Sequence, residues 1–156
     1  AGATGVGNTI NINNNTITNC TNDLATTSTW YGIYNTGSAA NLNINNNNFV
    51  NNATMHTTGI VYLIYNTGAV TASVSMSNNN LSHTFNKSIA QAGTINHIRN
   101  GGGTTTANLN INNNTFASIT HTTLSTTAHN FIYNTSSFFK LISYKIFRIK
   151  YIISNI

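Results

Sequence analysis

Residues able to perform acid–base or metal chemistry are scarce in this sequence. Glycoside hydrolysis requires two carboxylates that flank the scissile bond, and Asp23 is the only acidic side chain among 156 residues. Calcium and other hard cations require several oxygen ligands that together carry negative charge. One aspartate in a polar, loop-like stretch meets neither requirement, so we interpret Asp23 as a turn residue.

The five histidines lack the spacing of a metal site. Zinc is held by cysteine and histidine at short characteristic separations, whereas this chain has one cysteine and no HxH or HExxH pair. No nucleophile–base set is apparent either. The sequence therefore predicts no catalytic residue, no metal site and no cofactor. A cluster built by histidines from neighbouring repeats stays open; its candidates are His56, His83, His97, His121 and His129.

Aromatic residues give a stronger indication of binding. One heptapeptide recurs four times, as YGIYNTG (31–37), YLIYNTG (62–68), NHIRNGG (96–102) and NFIYNTS (130–136). Because side chains alternate along a strand, an inward isoleucine column leaves its neighbour outward. The outward column would suit stacking on sugar rings or contact with a protein, or would serve only as packing. The isoleucines are Ile33, Ile64, Ile98 and Ile132, and the predicted binding stripe is Tyr34, Tyr65, Arg99 and Tyr133.

A second motif recurs at the same intervals as the first. Its pattern indicates the strands and bends that must position the stripe. Its copies begin at Ile10, Leu42, Val74 and Leu109, and apolar residues fill the first, third and eighth columns. The first two columns have the period-two pattern of a strand. The third and eighth columns are five residues apart, so both can face inward only if the chain bends at the asparagines between them. Asparagine tolerates the left-handed backbone conformation that such a bend uses.

Repeats that stack as coils would bring equivalent asparagines within about 4.8 Å of each other, the spacing of paired strands. An inward amide can then donate to one neighbouring coil and accept from the other, as in the amide ladders of stacked strands. We predict such a ladder for Asn14, Asn46, Asn78 and Asn113. The alternative is that these four residues are exposed turn asparagines.

The pattern I-x-I-x-N-N-x-F, alternating with YGIYNTG, resembles the coils of right-handed parallel β-helix proteins of the pectate-lyase-like superfamily. More narrowly, it is similar to repeat modules of large secreted surface proteins from Bacteroidota-type bacteria. The likeness spans about residues 8–136 and implies an all-β, right-handed parallel β-helix of about four coils. Family coils are shorter than these units, so each unit is expected to add a loop near 18–28, 50–57, 82–90 and 117–126. Two short coils per unit is the alternative.

Composition and charge define the predicted domains. Residues 1–137 form the repeat domain, with units at about 8–40, 41–72, 73–107 and 108–137. Only 4% of all residues are charged, while 31 are asparagine and 26 are threonine. The net charge of +5 lies mostly in a basic apolar tail, 138–156, through Lys140, Lys145, Arg148 and Lys150. The repeats thus lack a basic face that could neutralise several phosphates, which argues against nucleic acid as a partner.

The tail itself permits three interpretations. Its apolar residues could line one face of a helix, giving a basic amphipathic segment at a membrane surface. It could instead cap the open end of the repeat stack, or derive from a slipped reading frame. The last two are favoured over membrane contact.

These observations predict a non-catalytic structural or adhesive segment of an exported, extracellular or cell-surface β-helix protein. Its expected partners are a polysaccharide or surface protein and the neighbouring repeats of a longer chain. The alternative is a fragment of a carbohydrate-active β-helix enzyme, a polysaccharide lyase or hydrolase, whose catalytic residues lie outside this chain. Ice binding is a third hypothesis, but the threonines are not matched from coil to coil.

Overall fold

The computed structural model describes residues 7–27, 29–56, 58–85, 93–121, 128–136 and 140–153. Within these ranges the regular elements are β-strands, and there is no helix. The same residues accordingly contain no helix that is long and apolar enough to cross a membrane.

The strands form a parallel β-solenoid of about four coils, as predicted. Each complete coil contributes one strand to each of four stacks, and a long strand near the end serves three of them. The first stack is β1 (Thr9–Asn11), β5 (Ala39–Asn43), β9 (Val70–Ser75) and the start of β13 (Asn108–His121). The second is β2 (Thr16–Thr18), β6 (Asn48–Val50), β10 (Asn80–Leu81) and the middle of β13.

The third and fourth stacks complete each coil. The third is β3 (Thr21–Thr26), β7 (Ala53–His56), β11 (Thr84–Phe85) and the end of β13. The fourth is a separate four-stranded sheet of β4 (Trp30–Asn35), β8 (Val61–Asn66), β12 (Thr94–Asn100) and β14 (Ala128–Asn134). A last strand, β15 (Lys140–Ile153), pairs in parallel along β13.

The register confirms the repeat alignment read from the sequence. Ile10 pairs with Leu42 in the first stack, and Leu42 pairs with Val74. In the four-stranded sheet Ile33 pairs with Ile64, and Ile64 with Ile98. Identical positions of successive units therefore lie directly above one another.

Asparagines at the bends explain why a coil can turn with few glycines. In the part of the chain that the structure describes, six non-glycine residues adopt positive φ, between 52° and 60°, and all six are asparagine. Asparagine tolerates this conformation better than other non-glycine residues. The first bend of each unit uses one of them, and the second bend of the first two units uses another; the six are Asn14, Asn19, Asn46, Asn51, Asn78 and Asn113.

The core runs along the axis of the solenoid. The motif's apolar columns are buried or pack against buried residues, as predicted, and Phe49, Leu81 and Phe116 have no accessible surface. Ile33, Ile64 and Ile98 join them from the four-stranded sheet, with Ile132 packed alongside. Burial of this kind stabilises a protein by about 25 cal/mol per Å² of apolar surface.

One prediction about regular structure was wrong. Three of the regions expected to be loops contain the third-stack strands β3, β7 and β11, and the fourth contains the end of β13. Part of the added length of each unit thus forms the third-stack strand of its coil. The tail forms β15, which pairs along the open edge of β13, where that edge supplies backbone hydrogen-bonding partners, so the helical alternative for the tail does not hold.

Candidate functional site: a tyrosine and arginine face

The four-stranded sheet presents two outward columns rather than one. In β4 both Gly32 and Ile33 face inward: a methyl group built on Gly32 would meet the ring of Phe49, and Ile33 is 6% exposed. Pairing with β8 correspondingly passes from Tyr31–Tyr62 to Ile33–Ile64. Because two successive inward residues interrupt strict alternation, the residues on both sides of them face outward.

The outward columns together form a surface that we call the tyrosine–arginine face. The predicted stripe is one of these columns. The second column was missed because the prediction assumed strict alternation of inward and outward side chains along each heptapeptide. Its signal is the first position of each heptapeptide, which is tyrosine in the first two copies and asparagine in the last two. The face consists of Tyr31, Tyr62, Asn96 and Asn130 in one column, and Tyr34, Tyr65, Arg99 and Tyr133 in the other.

Four tyrosine rings of this face stack on one another. Ring centroids of Tyr31 and Tyr34 are 4.5 Å apart, as are those of Tyr62 and Tyr65, and the two pairs are 5.3 Å apart between coils. All of these ring planes lie within 14° of parallel. Tyr31, Tyr34 and Tyr133 are each about 40% exposed, whereas Tyr62 is covered by its neighbours. The rings are thus held in place before any ligand arrives.

Arg99 closes the tyrosine cluster on one side. Its guanidinium carbon lies 5.0 Å from the ring centroid of Tyr65, 5.3 Å from Tyr133 and 5.5 Å from Tyr62. Its Nη1 also donates a 2.7 Å hydrogen bond to the Tyr62 hydroxyl. Contacts between a cation and aromatic rings of this kind are attractive, so the arginine is fixed among the rings rather than extended into solvent.

A shallow cavity of about 380 Å³ opens beside Arg99. It lies over the second, third and fourth coils at the four-stranded sheet, includes Tyr62 of the stacked tyrosines, and is lined largely by hydroxyl and amide groups. The lining residues are Ile60, Tyr62, Thr94, Asn96, Arg99, Asn130 and Tyr133. Its volume lies within the range of small-molecule binding sites.

The clustering also changes the acid–base behaviour of one hydroxyl. Partial burial, followed by the nearby hydroxyls of Tyr34, Tyr62 and Tyr65, raises the pKa of Tyr31 above its ordinary value of 10.0, although Arg99 opposes the shift. Burial and like charge both disfavour the phenolate.

An asparagine ladder beneath the face fixes the spacing of its strands. The Nδ2 of Asn35 donates to Asn66 over 2.8 Å, Asn66 to Asn100 over 2.8 Å, and Asn100 to Asn134 over 2.9 Å. Asn35, Asn66 and Asn100 are fully buried. The sequence shows this column as an asparagine in every heptapeptide, yet its role as a ladder was missed.

Glycine is required next to this ladder. Gly68 donates its backbone N–H to Oδ1 of Asn66, two residues earlier, over 3.1 Å. A methyl group on Gly68 would overlap the carbonyl oxygen of Gly37 in the neighbouring coil, and one on Gly102 would overlap that of Gly68. The tight turns after Asn66 and Asn100 therefore leave no space for a side chain, whereas the last unit has Ser136 at the equivalent position.

A second buried ladder confirms the predicted stacking of amides but lies one residue beyond the predicted column. Asn14, Asn46, Asn78 and Asn113 are exposed and adopt positive φ. The bend at each of them turns the following residue toward the interior. The ladder is Asn15, Asn47, Asn79 and Asn114, joined by Nδ2–Oδ1 bonds of 3.0 Å; Asn47, Asn79 and Asn114 are buried, and Asn15, in the first unit, is exposed.

In this second ladder the side-chain amide of Asn79 forms all the hydrogen bonds that it can. Oδ1 of Asn79 accepts from both the backbone N–H and the Nδ2 of Asn47, at 2.9 and 3.0 Å. The Nδ2 of Asn79 donates to Oδ1 of Asn114 and to the carbonyl oxygen of Ile44, both at 3.0 Å. Two acceptances and two donations exhaust the capacity of a primary amide.

The structure does not assemble the chemically reactive residues into a site. Within the described ranges there is no group of three or more His, Cys, Asp or Glu residues placed to hold a metal ion. Asp23 lies in β3 rather than in the predicted turn, and Cys20 is exposed.

Among the histidines whose side chains the structure describes, His97 and His129 are in contact. Nε2 of His97 lies 3.2 Å from Nδ1 of His129, with the His97 ring 4.9 Å from that of Phe131. His83 is buried against Trp30, while His56 and His121 end β7 and β13. His83 and His97 are thus packed interior residues.

No protein-family model, no curated protein and no solved structure matches this chain. The assignment of function therefore depends on the geometry of the solenoid and its tyrosine–arginine face.

Proposed function

We propose that this chain is a structural and adhesive segment of an exported cell-surface protein, and that its tyrosine–arginine face binds a glycan. The single observation that carries the proposal is the set of exposed tyrosines held rigidly on one face of a parallel sheet. Aromatic rings combine a large apolar area with a polar hydroxyl, a combination that suits carbohydrate surfaces.

The scaffold supports a mechanical role. Each coil is joined to the next by backbone pairing and by two buried amide ladders. These interactions depend little on ionisation, because the chain has only seven charged side chains apart from histidine. A stack of this kind would keep its geometry across the changes in pH and salt that a cell surface encounters.

Preorganisation supports the binding role. Ordering a flexible side chain on binding costs about 0.5–1.5 kcal/mol, and the stacked rings have already lost that freedom. The hydroxyls and amides around the cavity can direct hydrogen bonds to sugar hydroxyls, while the rings cover apolar ring faces. A repeat module of the secreted surface proteins of Bacteroidota-type bacteria, within the pectate-lyase-like superfamily, is the source that the sequence resemblance favours.

A glycan array with the purified chain tests the proposal. We expect selective binding that falls at least about tenfold in Tyr34→Ala and Tyr133→Ala, since stacking on an aromatic ring contributes about 1–3 kcal/mol by analogy with base stacking. Thr18 is an exposed residue of β2, outside the four-stranded sheet. Its variant Thr18→Ala serves as the control and should bind normally. An array without a signal would overturn the glycan proposal. Turnover of a bound polysaccharide would favour the alternative, a carbohydrate-active enzyme.

A further inference from the structure

We propose that the cavity beside Arg99 receives an anionic group, a sulfate or a carboxylate, carried by one sugar of the bound glycan. This inference rests on the proposed glycan-binding function and specifies the class of its ligand. It is drawn from the charge of the face, the hydrogen bonds already formed within it, and the position of the cavity.

Arg99 is a cation without an acidic counterpart. The chain has one acidic side chain, Asp23, which lies in β3, in a different stack from the sheet that holds Arg99. Among the described residues, Nε of Arg99 has no hydrogen-bond partner. That nitrogen is buried, but Arg99 as a whole is only partly buried and lines the cavity, so an anion there would offset part of the cost of desolvating its charge.

Tyrosine packing holds the guanidinium at the cavity but does not neutralise it. The three rings around Arg99 attract its charge through their faces, and Nη1 is engaged by the Tyr62 hydroxyl. Arginine carries five N–H donors in a planar fork that matches the oxygens of carboxylate, sulfate and phosphate groups. The remaining donors of Arg99 are therefore the natural contact for an oxyanion that enters the cavity.

The other groups around the cavity agree with an anionic sugar. Nδ2 of Asn130 donates to Oδ1 of Asn96 over 3.0 Å, so the acceptor of Asn96 is already engaged within the protein. The hydroxyls of Thr94 and Tyr133 can both donate, and the lining contains no carboxylate that would repel an anion. Oδ1 of Asn130 remains suited to accept from a sugar hydroxyl.

The stacked tyrosines favour a saccharide over an acidic peptide. They continue the face from the cavity across the first two coils, where neighbouring sugars of a chain would lie. A cavity of about 380 Å³ is of the size that accommodates one small cyclic ligand. One charged sugar at Arg99, with further sugars along the rings, fits this arrangement.

Matched glycans that share one backbone in neutral, sulfated and carboxylated forms test the inference. We expect an anionic form to bind at least about tenfold more tightly than the neutral form, because charge-assisted hydrogen bonds are roughly twice as strong as neutral ones. Arg99→Gln should abolish this preference, and Arg99→Lys should retain part of it because the charge remains without the fork. Arg148 lies in β15, outside the four-stranded sheet. The variant Arg148→Gln also removes one positive charge from the chain and should leave the preference for the anionic form intact. Circular dichroism should confirm that each variant keeps its strand content.

The outcomes separate this inference from the broader proposal. Equal binding of all three forms, lost in Tyr34→Ala but unchanged in Arg99→Gln, would overturn the anionic site and leave glycan binding in place. An equal loss of preference in Arg148→Gln would show general charge attraction and also overturn it. Polyglutamate that competes as well as the anionic glycan would favour an acidic peptide instead. Failure of every glycan to bind would overturn both proposals.

Discussion

Asn79 and Asn114 are joined by a 3.0 Å hydrogen bond from Nδ2 to Oδ1 in the interior of the solenoid, whereas Asn78 and Asn113, the residues just before them, are exposed. Adjacent residues of one type therefore have opposite roles. Asn78 and Asn113 supply a backbone conformation, and Asn79 and Asn114 supply an amide. The first two predictions separate these roles.

Replacement of Asn79 by alanine should destabilise the fold strongly. It removes the one oxygen, Oδ1 of Asn79, that accepts from both the backbone N–H and the Nδ2 of Asn47, and also the Nδ2 that donates to the Ile44 carbonyl oxygen. Each buried polar group left unpaired costs about 1–3 kcal/mol, so we expect a loss of at least about 3 kcal/mol in the free energy of unfolding. Urea titration followed by circular dichroism measures it. Asn78→Gly is the matched control and should cost much less; a larger loss for Asn78→Gly than for Asn79→Ala would contradict the assignment of the ladder.

Replacement of Asn113 should depend on backbone conformation rather than on the side chain. Asn113 adopts φ of 52°, which an alanine adopts at a cost of about 1–2 kcal/mol and a glycine adopts freely. We expect Asn113→Ala to lower the free energy of unfolding by about 1 kcal/mol and Asn113→Gly to change it by less than about half of that. Thermal melts of the two variants provide the comparison, and equal effects would show that the amide of Asn113 matters instead.

A methyl group at Gly68 should not be tolerated. Gly68→Ala places a carbon against the carbonyl oxygen of Gly37, and the neighbouring coils would have to separate locally to relieve the overlap. We expect a marked decrease in melting temperature, since overpacking of an interior typically costs about 1–3 kcal/mol. Gly101→Ala is the control, because its nearest neighbour would be Oγ1 of Thr135 at 3.4 Å. Comparable melting of the two variants would refute close packing at Gly68.

The fold should lose stability in alkali through Tyr31. Its folded-state pKa is raised above 10.0 by burial and by the neighbouring tyrosines, so the folded chain retains a proton that the unfolded chain has lost. The stabilising contribution is complete below pH 10 and is lost as the pH rises through the raised pKa. Unfolding measured between pH 8 and pH 12 should show this decline, and Tyr31→Phe should reduce it. An identical pH profile for Tyr31→Phe would exclude this origin.

Much of the fold could be predicted from the repeat alone. Residues such as Leu42, Ile44 and Phe49 recur at fixed intervals, and a periodic apolar pattern constrains which side chains share a core. The register between Ile33, Ile64 and Ile98 followed from the same alignment, because stacked units pair position by position. The outward direction of Tyr34 also agreed with the pattern.

The rest depended on local geometry that periodicity does not encode. Two successive inward residues, Gly32 and Ile33, brought Tyr31 into the face, where strict alternation had placed only Tyr34. The odd step of five residues in the other motif revealed a bend at the asparagines but not which of Asn46 and Asn47 turned inward. The third strand of each coil was missed because its sequence alternates too weakly.

The sequence by itself determined that four units stack in register, since every apolar column repeats and an unmatched column could not be buried. Only the tertiary structure decided which asparagine carries the ladder, how the coils close, and which side chains meet around Arg99. The physical reason is that periodicity fixes the spacing between equivalent residues along the chain. The direction of each side chain depends on individual backbone angles, and contacts between columns depend on how neighbouring strands pack.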